Sequence, residues 1–246
     1  MSPSSRPHTV CVIFARGGSR GIQRKNIAPL AGRPLVAWSI GIALRCPSID
    51  RVVVSTDDEE IAQVARHWGA EVPFLRPPEL AGDRSPEWLA WRHAIETLNA
   101  EPGARPIEVF CTLPPTSPLR AVDDVEACLA KLTEGAFDVV ITVRDAARSP
   151  YYNMVTLDPT GTANLAIPPD QPLHRRQDVP AVYDITTVAY AARPDFVLTQ
   201  AGLFAGRVGA VVVPVERALD IDTPYDLRIA AALAADAPLL AMEILR

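Results

Sequence analysis

A cationic, glycine-containing loop near the start of the chain is the first feature that could do chemistry. It follows the apolar run 10–15, and its three glycines allow backbone N–H groups to approach a ligand closely. The first 49 residues hold seven cations and no acidic residue, although the whole chain has a net charge of −5. We expect this loop to bind a polyanion, most simply a nucleoside triphosphate, through Arg16, Arg20, Arg24 and Lys25. A solvated basic turn is the alternative that these residues leave open.

Lys25 is distinctive because only two of the 24 cationic residues are lysines, the other being Lys131. A lysine ammonium is a compact point charge that suits a phosphate oxygen, whereas the arginine fork suits bidentate contacts. We therefore expect Lys25 to contact phosphate.

Two aspartates near the other end of the chain could bind a metal ion. Asp220 and Asp222 are separated by one residue, so in an extended segment their carboxylates face the same side. Such a pair can hold Mg²⁺ against phosphate oxygens. Helix capping is the alternative, but Thr223 already supplies a cap, in a capping box with Asp226.

A third polar cluster, residues 174–178, contains Arg175 and Arg176 beside Gln177. Arginine forks match carboxylates, so this cluster could hold an acidic substrate or brace a subunit contact. An exposed run of charges is an equally good interpretation of the residues alone.

Alternating strand and helix patterns predict how these groups are positioned. The predicted fold is α/β, a doubly wound, mostly parallel sheet, in which ligands bind at the carboxyl ends of the strands. A capping box of Thr56 with Glu59 and an N-cap at Ser85 predict two helix starts. The predicted strands are 10–15, 51–56, 72–75, 107–113, 137–143, 188–192 and 207–214; the predicted helices are 34–45, 56–67, 85–98, 122–132, 194–200 and one from 224.

The proline-rich segment 144–187 breaks this alternation and is predicted to be an irregular arm inserted in a single domain, 1–246. A plain surface loop is the alternative, although a loop of this length is uncommon.

Composition narrows the class of protein. An apolar content of 48% supports a substantial core, and the mildly acidic balance argues against general nucleic-acid binding. The four cysteines show no Cys-x-x-Cys spacing, which favours buried free thiols and a cytoplasmic location. No membrane span is visible, and the short N-terminal apolar run makes a poor signal peptide.

The loop after the first predicted strand does not agree with three other known motifs. Gly17, Ser19 and Gly21 match a Gly-x-Ser-x-Gly nucleophile elbow, but no earlier strand supplies an oxyanion hole and ester hydrolysis leaves the cations unexplained. The loop is also neither a Walker A motif nor a Gly-x-Gly-x-x-Gly fingerprint.

Several short motifs together resemble the acylneuraminate cytidylyltransferases, which make CMP-sugars from acidic 2-keto sugars. The resemblance covers nearly the whole chain, and its anchors are 15–21, 24–26, 29–35, 55–57, 75–77, 115–120, 176–178 and 220–223. It implies a Rossmann-like nucleotidyltransferase fold, use of CTP, release of pyrophosphate, Mg²⁺ as cofactor, and a homodimer in which the arm crosses to the partner.

The resemblance also implies roles for individual residues. Arg16, Lys25 and Asp222 are expected to be catalytic, and Asp220 and Asp222 to bind the metal. The acidic sugar is expected near Arg176, Gln177, Thr116 and Ser117. The nucleotide is expected to contact Ala15, Arg16, Gly17, Ser19, Arg20, Lys25, Asn26, Arg76 and Ser85.

The chain departs from the family pattern mainly in the sugar half. Pro114 stands where the family usually has a glutamine, and Thr186 and Thr187 replace an Asn-Gly pair. Arg20 replaces a lysine but keeps the charge. These departures favour a sugar other than N-acetylneuraminate. A nucleotidyltransferase for a different acceptor and a non-catalytic nucleotide-binding homologue remain as alternatives.

Overall fold

The fold is built on a six-stranded sheet with helices on both faces. The computed structural model describes residues 6–19, 21–168, 175 and 179–236. Ten strands run in chain order as β1 (Thr9–Phe14), β2 (Pro29–Leu30), β3 (Arg33–Pro34), β4 (Arg51–Ser55), β5 (Val109–Thr112), β6 (Val139–Asp145), β7 (Val155–Leu157), β8 (Ala163–Leu165), β9 (Tyr183–Ala192) and β10 (Val208–Val212). The α-helices are α1 (Leu35–Arg45), α2 (Glu59–His67), α3 (Glu87–Asn99), α4 (Val122–Glu134), α5 (Pro194–Thr199) and α6 (Pro224–Asp236).

The strand order in the main sheet is β10-β6-β9-β5-β1-β4. Neighbouring strands are parallel except at β9, which runs antiparallel to both β5 and β6. The prediction of a mostly parallel α/β sheet is therefore confirmed. The loop after β1 lies at the carboxyl edge, where ligands bind in such sheets.

Strand β1 shows why the sheet is covered on both sides. Cys11 and Ile13 pack in one hydrophobic cluster with residues of α1, α2 and α4, whereas Val10 and Val12 pack in another with residues of α3. Successive strand side chains point to opposite faces, so a continuous apolar run requires a core on each face.

Two predicted helix caps and one predicted strand are wrong, because other residues than those predicted make the hydrogen bonds, or no such bond is made. Asp58, and not Thr56, caps α2 by accepting a hydrogen bond from the backbone N–H of Ile61. Ser85 does not cap α3, which begins without a side-chain cap. Residues 72–75 form no strand; the neighbouring Glu71 makes an isolated parallel bridge to Val53.

The capping box at the start of α6 is confirmed. The Asp226 carboxylate accepts a hydrogen bond from the Thr223 backbone N–H at 2.8 Å, and the Asp226 backbone N–H donates to Thr223 Oγ1 at 3.3 Å. The Asp222 backbone N–H also donates to the same carboxylate, so this cap fixes the end of the acidic pair.

Strands β6 and β9 extend into the two ends of the predicted arm, and between them β7 and β8 form an antiparallel hairpin. β9 is interrupted by a bulge: Tyr190 pairs with Ile141, but the next residue of β6, Thr142, pairs with Thr186. Among the described residues, no helix is both long and apolar enough to cross a membrane.

Candidate functional site

A cavity of about 500 Å³ lies at the carboxyl edge of the sheet, beside the loops after β1 and β5. It brings together residues from both ends of the chain. Of the residues predicted from the sequence, those lining it are Arg16, Ser19, Lys25, Asn26, Arg76, Ser85, Thr116, Asp220 and Asp222.

The cationic loop and the acidic pair meet at this cavity. Lys25 Nζ lies 2.9 Å from Asp222 Oδ1 and also donates to the carbonyl oxygen of Ile221 at 2.8 Å. A Cβ atom placed on Gly21 would lie 2.1 Å from the carbonyl oxygen of Asp222, so only glycine permits this approach. The fold thus brings the two segments together.

The acidic pair is held in place by the residue between its members. Ile221 is fully buried, and its backbone N–H donates to the carbonyl oxygen of Thr116 at 2.8 Å. This anchor leaves Asp220 and Asp222 lining the cavity, as expected for alternate positions of an extended segment.

The same pair has the chemistry of a divalent-cation site. Asp220 Oδ1 is buried and has no hydrogen-bond partner in the described structure, while the Asp222 side chain is 71% exposed. Hard carboxylate oxygens suit Mg²⁺, which usually keeps waters and shares phosphate ligands. No group of three or more metal-ligating side chains occurs among the described residues, so a bound ion would need such outside ligands.

Arg76 is a buried cation with unused donors. The residue is 5% exposed, and burial lowers the pKa of its guanidinium despite nearby Asp57. Its Nη2 lies 3.7 Å from Asp57 Oδ1, too far for a hydrogen bond, and neither Nε nor Nη2 has a partner in the described part of the chain. Donors in this state can be satisfied by acceptors from water or from a bound molecule.

The loop after β1 is fixed by contacts with its surroundings. Asn26 Nδ2 donates to the carbonyl oxygen of Arg16 at 2.9 Å, and the Gly17 backbone N–H donates to Asp57 Oδ1 at 3.0 Å. Arg16 Nη1 lies 2.8 Å from Asp83 Oδ1, which connects this loop to the segment that carries Ser85. This side of the cavity is therefore preformed.

Four hydroxyl and guanidinium side chains are linked on the β9 side of the cavity: Thr116 and Thr187 line it, whereas Ser117 and Arg120 are buried and do not. Thr187 Oγ1 accepts a hydrogen bond from Thr116 Oγ1 at 3.1 Å and shares another with Ser117 Oγ at 2.6 Å. The fully buried Arg120 donates to the carbonyl oxygens of Pro114 and Thr187. Burial lowers the pKa of Arg120 to about 10.

Three of the predicted contact residues do not line the cavity. Ala15 is fully buried, and its backbone N–H continues the pairing with β4 at Ser55. Gly17 is turned toward Asp57, and Ser117 is buried behind Thr187. Arg20, Arg176 and Gln177 lie outside the described residues.

Asp57 and Tyr190 were given no role from the sequence, and Thr187 was named only as a departure from the family pattern. Asp57 could have been identified, because it follows the carboxyl end of β4 at the same sheet edge. Thr187 and Tyr190 line the cavity from β9, and burial raises the pKa of the Tyr190 hydroxyl to about 12. Thr187 lies in the bulge of β9, which no local pattern predicts, whereas Tyr190 keeps regular pairing with Ile141 and Thr112.

Comparison with known proteins agrees with this arrangement. A family model described as cytidylyltransferase matches residues 10–243. The chain is 32% identical over 221 residues to CMP-N,N'-diacetyllegionaminic acid synthase of Campylobacter jejuni, covering 89% of this chain and 92% of that protein. It is 31% identical over 223 residues to a pseudaminic acid cytidylyltransferase of the same species, covering 90% and 94%.

Solved structures share the fold at lower sequence identity. The structure of CMP:2-keto-3-deoxy-manno-octonic acid synthetase complexed with CTP superposes with a TM-score of 0.69 and 18% identity, covering 93% of this chain and 99% of that one. This similarity supports the fold.

Proposed function

We propose, since this chain belongs to the cytidylyltransferase family, that it activates an acidic 2-keto sugar with CTP, giving the CMP-sugar and pyrophosphate. The observation that carries the proposal is the meeting of Lys25 with the Asp220–Asp222 pair at one cavity. A cation and a carboxylate pair on one triphosphate are what nucleotidyl transfer requires.

In the proposed reaction, the anomeric hydroxyl oxygen of the sugar forms a bond to the α-phosphorus of CTP. The bond from that phosphorus to the bridging oxygen breaks, and the hydroxyl proton is released as pyrophosphate leaves. Arg16 and Lys25 neutralise charge on the phosphates, while Asp220 and Asp222 would hold Mg²⁺. The bound ion would supply further neutralisation of phosphate charge.

The cytidine is proposed to lie near Arg76. The unpartnered Nε and Nη2 of this buried guanidinium match acceptor atoms such as a pyrimidine carbonyl oxygen. Asn26, Ser19 and Ser85 line the same cavity and would contact the rest of the nucleotide.

The acceptor is proposed to be a nonulosonic or ulosonic acid. Relatives named for legionaminic and pseudaminic acids support this class. The altered residues Pro114 and Thr187 both line the cavity, which supports an acceptor other than N-acetylneuraminate.

We also propose a cytoplasmic homodimer. Leu157 and Val155 in the β7–β8 hairpin are 69% and 57% exposed, and Tyr183 and Ile185 at the start of β9 are also exposed. Such apolar exposure supports a contact with a second copy. Four free, buried cysteines support a reducing compartment.

The proposal is tested by pyrophosphate release from CTP with a panel of 2-keto acid sugars. Lys25→Met should lower kcat/KM by about 100-fold or more, because a group that neutralises phosphate charge is lost. The matched control is Lys131→Met at the only other lysine, which donates to the carbonyl oxygen of Ala210 on the far strand β10.

We expect Lys131→Met to retain wild-type turnover, and we expect chelation with EDTA to stop the reaction until Mg²⁺ is restored. Absence of turnover with every acid, or equal effects of the two lysine substitutions, would contradict the proposed function.

A further inference from the structure

Two adjacent threonines on β9 have different environments. Thr186 is buried, and its hydroxyl donates to Thr142 Oγ1 at 2.8 Å inside the sheet. Thr187 is half-buried and lines the cavity. Both residues depart from the family pattern, but of the two only Thr187 can contact a molecule bound in the cavity.

The position of Thr187 is set by the bulge in β9. Residues 187–189 have no partner in the β6 register, and the Ala189 backbone N–H instead donates to Thr142 Oγ1 at 3.0 Å. Bulges commonly redirect a side chain next to an active site. Here the bulge carries Thr187 to the cavity wall.

The Thr187 side chain is also held against rotation. Its hydroxyl is bonded to Thr116 and Ser117, and its carbonyl oxygen accepts from Arg120 Nη2 at 3.1 Å. Rotating the side chain would break both hydroxyl contacts and leave the buried Ser117 hydroxyl unpaired, which is costly. These contacts hold the Thr187 side chain in one orientation at the cavity.

This wall is connected to the acidic pair. The carbonyl oxygen of Thr116 accepts from the backbone N–H of Ile221, between Asp220 and Asp222. A molecule that contacts Thr187 is thus positioned relative to the groups proposed to act on the α-phosphate.

We propose that Thr187 determines acceptor specificity by limiting the size of the substituent that faces it. The inference rests on the proposed function. It assigns to this chain acceptors with a compact hydroxyl, and not a bulky acylamino group, at the carbon against Thr187. A change of one methyl-sized group in a pocket alters discrimination about 10-fold to 200-fold.

The test compares Thr187→Ser with Thr186→Ser, which remove the same methyl group from adjacent residues. The acceptors are pairs of nonulosonic acids that differ only by hydroxyl or acetamido at C5, and likewise at C7. For each variant, kcat/KM is measured with CTP by pyrophosphate release, together with the KM for CTP.

In Thr187→Ser, the ratio of acetamido to hydroxyl kcat/KM should rise about 10-fold or more at one of these carbons, with the KM for CTP unchanged. In Thr186→Ser, both ratios should stay within about twofold of wild type, since this residue faces the sheet interior.

The inference is overturned if Thr187→Ser leaves both ratios unchanged, or if the two variants shift them equally; the proposed function would still stand. If the wild-type protein turns over no acid with CTP, the proposed function fails and the inference falls with it.

Discussion

Gly21 is the residue at which the cationic loop touches the acidic pair. The backbone of the loop lies so close to the Asp222 carbonyl oxygen that there is no room for a side chain. This contact fixes the separation of the two segments more firmly than the Lys25–Asp222 ion pair alone, because the Asp222 side chain is 71% exposed and exposed ion pairs contribute little.

Gly21→Ala should therefore separate the two segments and reduce turnover by about 100-fold, since an ångström-scale misplacement has that effect in active sites. The measurement is kcat/KM with CTP and the best acceptor, alongside circular dichroism to establish that the fold is retained.

Gly18→Ala is the matched control, because a Cβ atom at Gly18 would meet nothing within 4 Å. It should behave as wild type. Equal loss of turnover in both variants would show that loop flexibility, and not the approach to Asp222, is what matters.

At the residue scale, sequence reasoning located the charged groups but not how deeply each is buried or which hydrogen bonds it lacks. Residue type and spacing suffice to select Lys25, Asp220 and Asp222. The orphaned donors of Arg76 could not be predicted, because its burial depends on the folding of distant segments around it.

At the scale of elements, helix α2 contacts the cationic loop through its N-terminus. Asp58 caps this helix and also receives two hydrogen bonds from Arg24, at 2.9 and 3.0 Å. Arg24 has a left-handed backbone with φ of 51°, so this contact stabilises a conformation that non-glycine residues rarely adopt.

Asp58→Asn should keep the helix cap but lose the ion pair, lowering the free energy of unfolding at pH 7 by about 1 kcal/mol. The hydrogen bond from Arg24 holds the pKa of Asp58 below its ordinary value. The stabilisation is therefore present at neutral pH and is lost as the pH falls through that lowered pKa.

Chemical denaturation at pH 7 and in strong acid measures this difference, which should shrink in acid. Glu60→Gln serves as the control, since Glu60 also pairs with Arg24 but is 65% exposed. A cost for Glu60→Gln as large as that for Asp58→Asn would refute the special role of Asp58.

Regular elements were the most predictable from the sequence, because their patterns are local. The apolar run of β1 and the periodicity of α1 and α4 gave bounds close to those observed. The bulge in β9 was not predictable, since it exists only through pairing with β6, which lies far away in the sequence.

At the scale of the whole molecule, the arm presents apolar side chains that the described part of the chain leaves exposed. Leu157 and Val155 on the hairpin and Tyr183 and Ile185 on β9 are all exposed. A dimer contact at these residues would bury them, whereas the main sheet already has both faces covered by helices.

Leu157→Asp should weaken dimerisation at least about tenfold, because it places a charge in a buried apolar contact. Sedimentation or light scattering across a concentration series measures this change. Phe204→Asp is the control, as Phe204 is 66% exposed but lies outside the arm. A monomeric wild type, or equal dissociation of both variants, would contradict the dimer proposal.

The contact between Lys25 and Asp222 joins residues 197 positions apart. During translation, a growing polypeptide thus displays its basic loop long before the ribosome has added the matching acids. Long-range pairings of this kind form late and close large loops. The side of the cavity that this contact completes is therefore expected to be among the last parts of the fold to form.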